Sequence, residues 1–287
     1  MLRRALVVIF AIGPAALPTA SLAYDFKPKT PDSAFAAKLR PDILGISTDA
    51  TAESARTVFE GAIRGRIDAK TDVQQQKFGG SAVNYIAALN STLPAGPKQN
   101  GEALSSSFSS PASTNRAYLI TRNLTFAPDQ QPLKAEMIKQ VMDKYGQPTI
   151  VGDQHLYYIY RAGKIVSVGA KYKEATALEA IDKPLDPKAA IKLNAANGRG
   201  SCIAAVKRTQ PKDKKLSAML DEAKAANCDG ALSVQLTPGV AADRLGNAQF
   251  TLLDFKRIIS AAAIDSEALA AESNARSSLP KGSAPKL

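Results

Sequence analysis

One histidine, His155, two cysteines, Cys202 and Cys228, and a cluster of cations between the cysteines are the side chains of this 287-residue chain with the most chemical potential. His155 stands between Gln154 and Leu156 at the edge of a β-rich run, so any triad would depend on it entirely and a His-rich metal site is excluded. A Cys nucleophile would need that same histidine. A metalloprotease H-E-x-x-H, a G-x-S-x-G elbow, a phosphate-binding G-x-x-x-x-G-K-[ST] and a dinucleotide G-x-G-x-x-G are all absent. Asp221 and Glu222 fall on the polar side of a helical pattern, and no spacing singles out a pair of carboxylates for acid–base work. The turn Asn197-Gly198-Arg199-Gly200-Ser201 offers flexible amides and nothing more specific. These residues imply no catalytic group, no metal and no cofactor, and they point to binding in preference to catalysis.

The cations are the remaining candidates. Lys207, Arg208, Lys212, Lys214 and Lys215 are opposed only by Asp213, and the whole chain has a formal net charge of +11. The ordinary reading of such a run is a solvated loop. The functional one is a site for anionic lipid head groups, acidic polymers or an acidic protein. Asn90-Ser91-Thr92 and Asn123-Leu124-Thr125 match the glycosylation sequon, a pattern common by chance.

The N-terminus decides among these partners. Arg3 and Arg4, the apolar stretch Ala5 to Ala16 and the small residues of Ser21-Leu22-Ala23 have the order of a cleavable secretory signal over 1–23. The stretch is too short and too broken by Gly13, Pro14 and Pro18 to span a bilayer, and no later segment is long enough for a transmembrane helix. Tyr24, not Cys, follows the cleavage site, which argues against a lipid anchor. Export to the periplasm or beyond removes nucleic acid as a partner. It also makes a Cys202–Cys228 disulfide the default for an even cysteine count.

The elements that must position these groups follow from periodicity. An extended arm over 24–40 leads to a short strand at Asp42–Ile46 and a helix capped by Thr51 with Ala55, Val58, Phe59, Ala62 and Ile63 on one face. A hairpin turns at Gly79-Gly80, with Val83, Tyr85 and Ala87 on one side of its second strand. Asn90–Ser113, rich in Ser, Pro, Gly and Asn, reads as a long mobile loop. A strand follows at 116–125, with Tyr118, Ile120, Arg122 and Leu124 on one side. Pro132 opens a helix carrying Leu133, Met137, Ile138, Val141, Met142 and Tyr145 and closed by Gly146. Leu156–Tyr160 and Lys164–Val168 form a second hairpin, and a charged connector occupies 171–188. Then come Cys202–Val206 as strand, Asp213–Asn227 as helix on Leu216, Met219, Leu220 and Ala223, and strands at Ala231–Leu236 and Ala248–Phe255. Asn274–Leu287 has the composition of a disordered tail.

The expected fold is therefore α+β, with helices packed on an antiparallel sheet, repeated helix-then-strands units and one disulfide. Regions 41–168 and 169–272 follow the arm, and a tail occupies 273–287. Leu44-Gly45-Ile46-Ser47 with Thr51 opening a helix, and Lys144-Tyr145-Gly146-Gln147-Pro148 closing one before Tyr157-Tyr158-Ile159-Tyr160, resemble the β-lactamase-inhibitor-like domains, including the SmpA/OmlA outer-membrane assembly lipoproteins. The resemblance spans about 41–168. It implies a helix pair on a curved antiparallel sheet whose exposed face or loops bind other proteins. The chain departs from it in having no lipidated Cys and no Trp, and no binding residue carries over. The expected function is that of a non-enzymatic, protein-binding module of the cell envelope. The alternatives are a binder of anionic envelope polymers through the basic run and a hydrolase using His155.

Overall fold

The computed structural model describes residues 26–35, 38, 40–66, 68–80, 83–152, 154–168, 201–208 and 215–278. The secretory signal, the connector at 171–188, Lys212 and Lys214 lie outside the described residues.

Among the described residues, five α-helices and nine strands make an α+β fold: α1 (Ala52–Ala62), β1 (Lys70–Phe78), β2 (Val83–Leu93), β3 (Gly101–Phe108), β4 (Ala117–Thr125), α2 (Lys134–Tyr145), β5 (Ile150–Val151), β6 (His155–Arg161), β7 (Lys164–Ile165), α3 (Cys202–Arg208), α4 (Leu216–Ala225), β8 (Gly230–Pro238), β9 (Leu245–Asp254) and α5 (Phe255–Ser277). One antiparallel sheet holds all the strands in the order β1-β2-β3-β4-β9-β8-β6-β5, with β7 on β6. Strands from both sides of residue 168 thus interleave, since β9 and β8 stand between β4 and β6.

The sheet divides a two-sided core. Leu156, Tyr158 and Tyr160 of β6 join Leu232, Val234, Phe250 and Leu252 in a cluster with Ala55 and Phe59 of α1 and Val141 of α2. Tyr157 and Ile159 point the other way, into a cluster with Cys202, Ile203 and Val206 of α3, Met219 and Ala223 of α4, and Phe255 and Ile258 of α5. Burial on both faces is why β6 reads as an unbroken apolar run, Leu156 to Tyr160, all of it buried.

Local signals hold where chemistry forces them. Thr51 caps α1 by accepting from the Ser54 amide. The Gly146 amide donates back to Met142 at 2.8 Å, and a positive φ of 83° there ends α2. Ala162 and Gly163 both have positive φ, 49° and 73°, which a two-residue turn between β6 and β7 requires.

Other expectations are corrected. Asp42–Ile46 is a tight turn and not a strand: Ile43 and Ile46 exchange both backbone bonds at 3.0 Å around Leu44 and Gly45, whose φ values are positive. Asn90–Ser113 is not a loop, because β2 runs on to Leu93, β3 follows, and a short 3-10 turn spans Pro111–Ser113. Serine is compatible with a central strand where its hydroxyl finds a backbone acceptor across the ladder: Ser106 of β3 donates to the Leu119 carbonyl of β4 at 3.3 Å. Cys202–Val206 is helical and not extended. A five-residue apolar run carries no period of its own, and here all five residues are buried. The Ser201 hydroxyl accepts from the Ala204 amide at the head of α3. Finally, α5 continues through Asn274 to Ser277, where a disordered tail was expected.

The arm over 26–35 has no regular structure but is not loose. The Ala34 amide and the Ser33 hydroxyl donate to Asp254, at 2.9 and 2.7 Å, and Phe35 packs edge-on against Tyr160.

Candidate ligand cleft

Helices α3, α4 and α5 cover the second sheet face over its middle strands and leave it uncovered toward β1, the edge strand. There a cavity of about 100 Å³ is floored by sheet residues and walled by α4 and α5. That is small beside the roughly 300–1,000 Å³ of ligand pockets, and the lining is far more polar than is usual for them.

The floor is built by register. Gln76 stands opposite Tyr85, Gln74 opposite Ala88, Ala88 opposite Ser107, and Asn90 opposite Ser105. Two β-bulges set which side chains point up. Between Gln74 and Gln75 the pairing jumps from Ala88 to Ile86, so Ala87 is the extra residue of β2. Tyr85 before the bulge and Ala88 and Asn90 after it then share the cleft, while Leu89 turns into the first core. Between Ser107 and Phe108 it jumps from Leu119 to Ala117, making Tyr118 the extra residue of β4. Tyr118 therefore sits beside Leu119 on the cleft side and not with Ile120, contrary to simple alternation.

The one acid in the lining is Asp265 of α5. The Ser110 and Ser113 hydroxyls both donate to its Oδ1, each at 2.7 Å, and the Ser110 backbone amide adds a further bond to the carboxylate. Burial raises the Asp265 pKa above the ordinary carboxylate value, and these hydroxyl and amide bonds counteract it only in part. Burial also raises Tyr85, with Asp265 as the second cause, and raises Tyr118 still further, helped by Tyr85 and Asp265 and opposed by a bond to Ser107. Both phenols therefore remain neutral, Tyr85 donating to Gln76 and Tyr118 bonded to Ser107. Lys215, at the head of α4, lines the same cleft.

Of the described residues of the basic run, Lys207, Arg208 and Lys215, it is Lys215 that lines this cavity. Lys207 and Arg208 lie at the end of α3, where Arg208 pairs with Glu222 at 2.8 Å. His155 stacks on Tyr157 with ring centroids 5.6 Å apart, and burial, aided by Lys207, lowers its pKa, so it is neutral near pH 7. It does not line the cleft. Cys202 and Cys228 form the expected disulfide, Cα–Cα 5.6 Å, tying the head of α3 to the segment after α4. Among the described residues no group of three or more His, Cys, Asp or Glu side chains could hold a metal ion, and no helix is long and apolar enough to cross a membrane.

Sequence reasoning missed Gln74, Gln76, Asn90, Ser105, Ser107, Ser110 and Asp265. The available signal was the row of Gln, Asn and Ser at alternate positions, but the presumed loop hid β3, and the Ala-rich composition hid α5.

No protein-family model matches the chain, and neither a curated protein nor a solved structure does so.

Proposed function

We propose that the protein is an exported, non-enzymatic binding module that meets its partner in the cell envelope through the uncovered polar face of β1–β3. The observation that carries this reading is the contrast along one sheet. β4, β9, β8 and β6 are packed on both faces, whereas the second face of β1–β3 turns the half-buried Gln74, Gln76, Tyr85, Asn90 and Ser105 toward the polar cavity beside α4 and α5. Burying polar groups without partners is costly, so a polar floor of this kind is stable when wet and gains when a ligand supplies hydrogen bonds in place of water. The inhibitor-like resemblance supports it, since an exposed sheet face is the surface such domains use. Export rests on the leader-like N-terminus and agrees with the Cys202–Cys228 bridge.

Hydrogen–deuterium exchange of the protein with and without envelope extract, at low and high salt, tests the reading. Protection should fall on 74–90 and 105–118 and survive high salt, because the contacts are hydrogen bonds and not long-range charge. Protection confined to 201–208 and 215–225 that collapses with salt would refute it in favour of an anionic polymer on the basic run. Turnover of a substrate that is lost in His155→Ala with the fold intact would refute it in favour of an enzyme.

A further inference from the structure

The two margins of the sheet are unequal. At one end of the strand order stand β5 and β7, two residues each. At the other stands β1, nine residues long and paired, among the described residues, with β2 alone. The outer edge of such a strand presents a row of N–H and C=O groups without ladder partners, a template on which another strand can add. Proteins that keep an edge single shorten it, bulge it, or place proline or charge along it. β1 does none of these at its centre. Lys70–Phe78 contains no proline, the bulge it shares with β2 puts the extra residue, Ala87, in β2, and its charges, Lys70, Asp72 and Lys77, stand outside Val73–Gln76. The centre is Gln74-Gln75-Gln76, with Gln75 exposed.

We infer that β1 is a self-association edge, on which β1 of a second copy of this chain adds antiparallel across a two-fold axis at Gln75, joining the two sheets into one. The pleat limits the registers open to it. Side chains alternate faces along a strand. Gln74 and Gln76 line the cavity on the second face and Val73 packs against the first core, so Gln75 and Lys77 share the face of Val73. A two-fold axis normal to the sheet keeps each face, so a residue opposes either its own twin or a residue an even number of places away. With the axis at Gln75, that residue meets its twin and Gln74 meets the second copy's Gln76 on either side, so Gln faces Gln at three successive positions. Amides in such a row donate to and accept from one another, as they do between identical stacked strands. Val73 then opposes Lys77 and Asp72 opposes Phe78, so no two like charges face each other. Centring on Val73, Gln74 or Gln76 leaves at most one Gln pair. The backbone ladder and Gln75 carry the pairing, because Gln74 and Gln76 also serve contacts within their own chain. One strand pair over 72–78 falls short of the roughly 1,200–2,000 Å² of a stable interface, so the dimer is weak and reversible. It sets the polar faces of two copies side by side and does not rest on what those faces bind.

Sedimentation equilibrium of the full chain, from about micromolar to millimolar concentration, reads the association, and a monomer–dimer equilibrium is expected. Gln75→Lys and Gln75→Glu each set like charges face to face and should weaken the dimer roughly tenfold or more, with the melting temperature unchanged because Gln75 is exposed. An equimolar mixture of the two variants should restore dimerisation, since the twin positions then hold opposite charges. Gln75→Cys should cross-link two chains under mild oxidation, the native cysteines being joined to each other. Thr71→Cys should not, because in this register its twin lies about 27 Å away. A chain that stays monomeric at millimolar concentration overturns the inference, as does a dimer indifferent to Gln75→Lys or a mixture that associates no better than either variant alone. Monomers whose 70–78 amides gain protection only in envelope extract overturn it too, and give the edge to a strand of another protein. The polar face is tested separately by protection at 105–118, which pairing through β1 does not touch.

Discussion

Replacing Arg257 by Met should cost the fold about 3–5 kcal/mol near neutral pH, the usual loss when one member of a buried ion pair is removed. Arg257 is 1% exposed and Asp254 is fully buried. Asp254 accepts from Ser33 at 2.7 Å, the Ala34 amide at 2.9 Å, Thr48 at 3.0 Å, the Arg257 amide at 2.9 Å and Arg257 Nε at 3.3 Å. Arg257 also bonds Asp49, which Arg40 holds from its other side. Even with these donors, burial raises the Asp254 pKa, so desolvation already outweighs the guanidinium's pull. Methionine keeps most of the volume and removes the one cation that pairs with Asp254 among the described residues, and the carboxyl must then move further toward protonation. The sign follows from linkage. A group whose folded pKa is raised is stabilising below its unfolded value, and that stability is lost as pH rises through the folded pKa. The deficit of the variant should therefore be small near pH 4 and grow with pH, by at most about 1.4 kcal/mol per unit. Urea unfolding at several pH values reads this directly. Asp254→Asn combined with Arg257→Met should recover most of the loss, since Asn can still accept from the two amides while Ser33 and Thr48 turn to accept from its NH₂. A deficit under about 1 kcal/mol, or one that does not vary with pH, would refute the reasoning.

Reducing the disulfide should lower stability by about 3–4 kcal/mol in the chain-entropy model, for a sequence separation of 26, measured as a shift of the urea midpoint with free thiols confirmed by alkylation. Asp265→Asn should raise the melting temperature at pH 7 and have less effect toward pH 4, because the raised pKa makes the wild-type carboxylate a liability only above its unfolded value. Gly79→Ala should destabilise by about 1–3 kcal/mol in thermal unfolding: φ is +66° there, and an added Cβ would run into the Glu272 carboxylate. His155→Ala should leave binding to any cleft ligand unchanged in calorimetry, because that ring stacks on Tyr157 and lies outside the cleft lining.

What could be read from the sequence depended on whether a segment's burial was one-sided. α1 and α2 bury one stripe against the sheet, so Ala55 and Phe59 in one and Met137, Val141 and Tyr145 in the other announce themselves. The hairpins announce themselves through turn residues that few other conformations accept. α3 buries all of Cys202–Val206 and leaves no period to find. β3 buries hydroxyls instead of methyl groups, so a composition typical of loops conceals a central strand. Of the basic run, Lys215 reaches the cleft and Arg208 serves an ion pair, while the acid that gives the cleft its character lay in a stretch with no hydrophobic stripe.

That absence of a stripe has a physical cause, and it links the fold to the site. On a helix of roughly 3.6 residues per turn, Asp265 and Glu272 return to the side of Asp254 after about three and five turns. Ile258 and Ala261 share that side and are fully buried, so the inward face of α5 alternates carboxylates with apolar residues and shows little net hydrophobicity. Each acid has its own partner. Asp254 holds the arm and caps the helix, and Glu272 accepts from the Gly80 amide at 3.1 Å and pairs with Arg276 at 2.8 Å, fixing the β1–β2 turn. Asp265 lies between them, bonded to the 3-10 turn through the Ser110 and Ser113 hydroxyls and the Ser110 amide. The helix is thus pinned at both ends to opposite margins of the sheet region it overlies, and the carboxylate at its middle is held over the floor of the cleft by elements far apart in sequence. A site held this way is set by packing and not by a local motif, and its polar lining is accordingly invisible in any single stretch of the chain.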